Sequence, residues 1–112
     1  MILIFMGESF NFGPRENLNY SVLDVLKEIK KNWKNFKWKK IKFKKNKLKE
    51  AKLLSLNCKK VNKILKWKLS MNFSQTIKTT IEWYKNYYNK KENAFLITSK
   101  QIKEYQKKIE KF

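Results

Sequence analysis

The chain has 112 residues, room for one domain with a modest core, and its 42% hydrophobic and 15% aromatic content argues against disorder although 33% of residues are charged. Lys and Arg number 28 against 9 Asp and Glu, which gives a net charge of +19. A single cysteine, Cys58, excludes an internal disulfide, and the absence of histidine excludes the usual zinc constellations, so a reducing, cytoplasmic setting is expected.

A charge of +19 ordinarily points to nucleic acid or to an anionic membrane. Every basic residue except Arg15 is Lys, however, Asn is abundant, and there are only 2 Gly and 1 Pro. Those are the residue preferences of A/T-rich codons, and drift in genome composition produces them without selection for a ligand. The scarcity of Arg also counts against base readout and bidentate phosphate clamping, for which a planar guanidinium is the better tool.

In chain order, residues 2–6 are apolar and read as a strand, too short for a membrane span or a signal core, so no targeting segment and no membrane partner are expected. Residues 8–12 alternate, and Gly13-Pro14 ends them. A helix is predicted to start at Asn19 or Ser21, with Ser21 and Asp24 forming a capping box. Val22, Leu26, Ile29 and Trp33 recur at helical spacing and form its buried stripe. Residues 36–49 are Lys-rich; Ile41 and Phe43 suggest an edge strand over 39–44, with lysine guarding the edge. Trp38 and Phe36 between lysines offer the alternative of a stacking platform for single-stranded nucleic acid.

Residues 50–67 read as the organising unit. Leu54 and Leu56 belong to a half-buried strand, Asn57 caps a helix, and Val61, Ile64 and Leu65 give that helix an apolar stripe that ends near Trp67. Asn72 is predicted to cap a long helix reaching about Asn89, striped by Phe73, Ile77, Ile81, Tyr84 and Tyr88 and widened by Trp83 and Tyr87. The apolar run 95–97 then leads to a capping box of Thr98 and Gln101. Ile102, Tyr105, Ile109 and Phe112 mark a final amphipathic helix.

The residues carry no catalytic constellation: no His base, no Cys and His pair, and no glycine loop for a phosphate. Tyr87 and Lys91 match the Tyr-x-x-x-Lys spacing of short-chain dehydrogenases, a pattern that chance supplies readily in a chain rich in both. Cys58 reads as helix filler rather than a nucleophile, and Glu82, Glu92 and Glu104 as surface charges.

Phe10-Asn11-Phe12-Gly13-Pro14, Glu50-Ala51, Leu54-Ser55-Leu56-Asn57-Cys58, Leu65-Lys66-Trp67 and Thr80-Ile81-Glu82-Trp83-Tyr84 together resemble, in order and spacing, the C-terminal part of CDP-glucose 4,6-dehydratases, members of the extended short-chain dehydrogenase/reductase superfamily. Thr98-Ser99-Lys100-Gln101-Ile102 is similar to the family's tail. Lys49 occupies the family's His position, Asn57 its Asp, Lys66 its Gly and Leu69 its Pro. The resemblance implies an α/β (α+β) substrate-binding lobe of about three short strands and four helices over 1–112, without the Rossmann domain that holds NAD and supplies the Ser/Thr, Tyr and Lys of the reaction. It therefore implies a fragment that is inactive alone, with no cofactor in this chain. CDP-glucose would be its ligand if an NAD-binding half complements it, and Lys49 and Glu50 would lie beside the substrate diphosphate. A small lysine-rich nucleic-acid-binding protein is the alternative reading.

Overall fold

The computed structural model describes residues 6–14, 19–41 and 56–111. Among them are four helices, α1 (Val22–Asn32), α2 (Lys59–Leu65), α3 (Phe73–Tyr88) and α4 (Ala94–Glu110), and no strand. The expected α/β architecture with about three short strands is thereby overturned. Residues 8–12 and 39–41 are without regular structure because no described segment offers them the ladder of backbone partners a strand requires. The remaining residues of the expected strands, 2–5, 42–44 and 54–55, lie outside the described residues.

The chain divides into two compact units, one holding described residues 6–14, 19 and 56–69, the other 20–41 and 70–111. In the first, α2 is a two-turn helix whose Val61 is fully buried, while Ile64 and Leu65 remain 37% and 44% exposed. The predicted three-residue stripe thus contracts to Val61 and the buried Cys58 just before the helix. Asn57 accepts from the Lys59 backbone N–H at 3.0 Å and Cys58 occupies the cap position itself. The helix ends at Lys66 in the left-handed region, φ 54° and ψ 25°. A β-carbon there costs roughly 1 kcal/mol that glycine avoids. Lys66→Gly is accordingly expected to raise stability by about 0.5–1 kcal/mol, which urea unfolding checks.

In the second unit α3 packs against both α1 and α4. The Ser21–Asp24 box caps α1 as predicted: the Asp24 N–H donates to Ser21 Oγ at 3.1 Å and the Ser21 N–H donates to Asp24 Oδ2 at 2.8 Å. In the last turn of α1, Lys30 Nζ donates to the carbonyls of Lys34 and Phe36 at 2.6 and 2.9 Å and so ties the segment that follows the helix back onto it. Asn72 caps α3 in a box with Gln75. Tyr20 and Phe73, which precede and open α1 and α3, stack at 3.8 Å between ring centroids, 8° from parallel.

Two expectations are corrected here. Val22, assigned to the inner stripe of α1, is 74% exposed, and Glu28 is buried instead. The last helix starts at Ala94, capped by Asn93 Oδ1, which accepts from Phe95 and Leu96, so the apolar run 95–97 is helix and Thr98 is interior to it. The Thr98 hydroxyl donates back to the Ala94 carbonyl at 2.7 Å, the bond an interior Thr makes when it is not a cap. Ile81 and Ile97 are the buried aliphatic residues of this unit.

Candidate functional site

The two residues assigned to the substrate by resemblance, Lys49 and Glu50, lie outside the described residues. What the structure does bring together, in the first unit, are residues of the 10–14, 56–58 and 65–67 motifs. Phe12 meets Trp67 edge to face, 5.4 Å between centroids at 89°. A β-carbon at Gly13 would stand 3.5 Å from Cys58 Sγ and 3.5 Å from Leu56 Cδ1, ordinary van der Waals contact, so the 10–14 turn lies against the 56–58 segment. Cys58 Sγ faces the Leu56 carbonyl at 3.6 Å. Buried in this way, the thiol is a packing group, as its sequence context suggested.

Lys60, on the first turn of α2, is the charged group of this unit that the sequence did not single out. Its ammonium donates to Glu8 Oε2 at 2.5 Å and to the Ser9 carbonyl at 3.0 Å, and it lies 4.9 Å from the centroid of the Phe10 ring. Its hydrogen bond and its charge hold the Glu8 carboxyl below the usual carboxylate range. The only signal in the sequence was the Glu-x-aromatic pattern of residues 8–10 opposite a basic helix start, and that becomes visible only once α2 is placed beside it.

In the second unit Glu28 is the buried charge. Ser74 Oγ donates to its Oε1 at 2.5 Å and Lys31 Nζ donates to its Oε2 at 2.9 Å. Both bonds favour the carboxylate, the one from Ser74 most, and keep the group below its ordinary range. A carboxyl whose folded pKa is depressed stabilises the fold above its unfolded pKa and loses that contribution as pH falls through the folded value. Ser74→Ala therefore should weaken the fold at pH 7, with the gap to the parent closing below about pH 4, measurable by urea unfolding at the two pH values. Nearby, Lys85 Nζ donates to the Asn32 carbonyl at 3.2 Å, so Glu28 with Ser74 and Asn32 with Lys85 tie α1 to α3 at two points.

Between α3 and α4 lies a cavity of about 190 Å³ lined by Glu82, Glu92, Glu104, Lys100, Asn86 and Gln101, among others. It is smaller than the 300–1,000 Å³ typical of small-molecule sites. Its three carboxylates disfavour an anionic ligand. Among the described residues no group of three His, Cys, Asp or Glu could hold a metal ion. Tyr87 and Lys91 do not share a helix: α3 ends at Tyr88, and Lys91 lies beyond it with its backbone in the left-handed region at φ 52°. No helix of the described residues is long and apolar enough to cross a membrane. No family model matches the chain, and neither a curated protein nor a solved structure matches it.

Proposed function

We propose that this chain is the nucleotide-sugar lobe of a CDP-glucose 4,6-dehydratase, working in the cytoplasm with an NAD-binding chain or domain. The observation that supports this reading is the convergence of three of its separated motifs in one small unit. Phe12 and Gly13 of the aromatic-Asn-Phe-Gly-Pro turn pack on Trp67 and on Leu56 and Cys58. The αL cap at Lys66 adds to it, because the family places glycine at that position and a lysine there is held in glycine's conformation.

On this reading NAD is held by the other part, because a dinucleotide turn needs glycines opening onto a helix and Gly7 is followed by residues 8–12 without helix. The share of the reaction left to this lobe is recognition. Lys49 would meet the diphosphate of the nucleotide sugar as a point charge, and Glu50 would orient it. Oxidation at C4, loss of water across C5 and C6 and return of the hydride belong to the NAD-binding part.

The test is reconstitution. The chain alone should leave CDP-glucose unchanged, and mixing it with the separately produced NAD-binding half of a dehydratase should yield the 4-keto-6-deoxy product. A mixture that neither binds CDP-glucose by titration calorimetry nor turns it over would refute the proposed function.

A further inference from the structure

Lysine is not spread evenly along this chain. Residues 29–49 hold eleven of its 27 lysines and none of its nine Asp and Glu residues, a concentration that drift in codon usage, which acts on the whole chain, does not produce. The described part of that run, residues 30–41, carries six lysines with Trp33, Phe36 and Trp38 among them.

Two of the six are spent within the fold. Lys31 pairs with Glu28, and Lys30 donates to the Lys34 and Phe36 carbonyls. Together with the Phe36 N–H, which donates to the Trp33 carbonyl at 3.0 Å, Lys30 holds the chain in a turn at the end of α1. The other four, Lys34, Lys37, Lys39 and Lys40, are exposed and pair with no carboxylate among the described residues. Trp38, which stands among them in sequence, is 42% exposed, whereas Trp33 and Phe36 are half-buried. The unit thus presents an open indole and unneutralised ammoniums on a segment anchored to its helix.

We propose that residues 34–40 bind single-stranded nucleic acid, with Trp38 stacked on a base and Lys34, Lys37, Lys39 and Lys40 meeting the backbone phosphates. This is independent of the dehydratase reading. The two kinds of side chain select the ligand together. Four ammoniums without acidic partners call for a polyanion. The open ring calls for a flat, unpaired partner, which a duplex keeps inside its stack and an acidic polypeptide lacks. An anionic membrane fits less well, because an interfacial anchor is a helix with a continuous apolar face, and 36–41 is not helical and has lysines between its apolar residues. With lysine in place of arginine, bidentate base recognition is missing, so the site should tolerate any sequence.

Fluorescence anisotropy of a labelled oligodeoxythymidine of about 16 nucleotides, titrated with the full chain between about 0.05 M and about 0.3 M salt, tests the proposal. Saturable binding is expected, its log affinity falling against log salt with a slope of about −3, from four phosphates at about 0.7 each. Trp38→Ala should weaken binding about tenfold with slope and helix content unchanged, and Trp38→Phe should restore most of the loss. Lys39→Gln with Lys40→Gln should cut the slope to about half. Lys107→Gln with Lys108→Gln removes the same charge elsewhere and should bind as the parent does. Those two residues lie far along α4, which runs antiparallel to α3, as Thr98 meets Trp83 and Gln101 the Thr79 carbonyl, and so away from the Lys85 contact with the end of α1. No binding, an affinity indifferent to salt, or a Trp38→Ala chain that binds as tightly as the parent would each overturn the proposal. So would an equal loss from the Lys107 and Lys108 changes, or polyglutamate or phosphatidylserine vesicles bound as tightly as the oligonucleotide.

Discussion

Replacing Ile81 by alanine should lower the unfolding free energy of the 20–41 and 70–111 unit by about 3 kcal/mol, within the range for removing a buried aliphatic side chain and leaving a cavity. Ile81 is 6% exposed and sits on α3, the helix that packs against both α1 and α4. Its loss weakens the helix on which α1 and α4 both pack, so α1 and α4 should unfold together. A domain of this size holds only about 5–15 kcal/mol in total, and the variant should therefore melt lower by several degrees in circular dichroism. An unchanged midpoint would place the core of the unit elsewhere.

Val61→Asp is the second large effect, and it reads out the other unit. Val61 has no exposed surface, so a carboxylate there is buried without a partner and should cost about 4 kcal/mol. The unit of residues 6–14 and 56–69 has one short helix and few buried side chains and should not survive that loss. α1, α3 and α4 should keep their helicity, because the buried residues of their unit are Ile81, Ile97 and Glu28. The edge contact between Phe12 and Trp67 should vanish, with a red shift of the Trp67 emission as the ring enters water. Three-helix signal lost along with it would show that the two units fold as one.

Residues with a single local use were the ones the sequence disclosed. Ser21 with Asp24 and Asn72 before a long amphipathic run are capping signals whose partners lie within one turn, and each capped the helix it was assigned to. Cys58 was read as filler and is buried. Signals that depend on distant partners misled. The apolar run 95–97 is three residues long, too short for periodicity to separate strand from helix, and its true cap, Asn93, follows a charged stretch with no apolar residue to announce it. Val22 lost its expected place because the side of α1 that meets α3 carries Glu28, and a glutamate is assigned inward only when Ser74 is known to face it. The strand readings at 8–12 and 39–41 rested on alternation, which states what a strand looks like and not whether a partner exists to pair with it.

The functional assignment rests on the motifs that surround Lys49 and Glu50, and these two residues are where it is most directly tested. Titration of CDP-glucose into the chain combined with a dehydratase NAD-binding half should show saturable binding that Lys49→Ala weakens by about tenfold, in keeping with one lost contact between an ammonium and a diphosphate. No binding by the combined chains, or binding that Lys49→Ala and Glu50→Ala both leave untouched, would contradict a nucleotide-sugar lobe built on this segment.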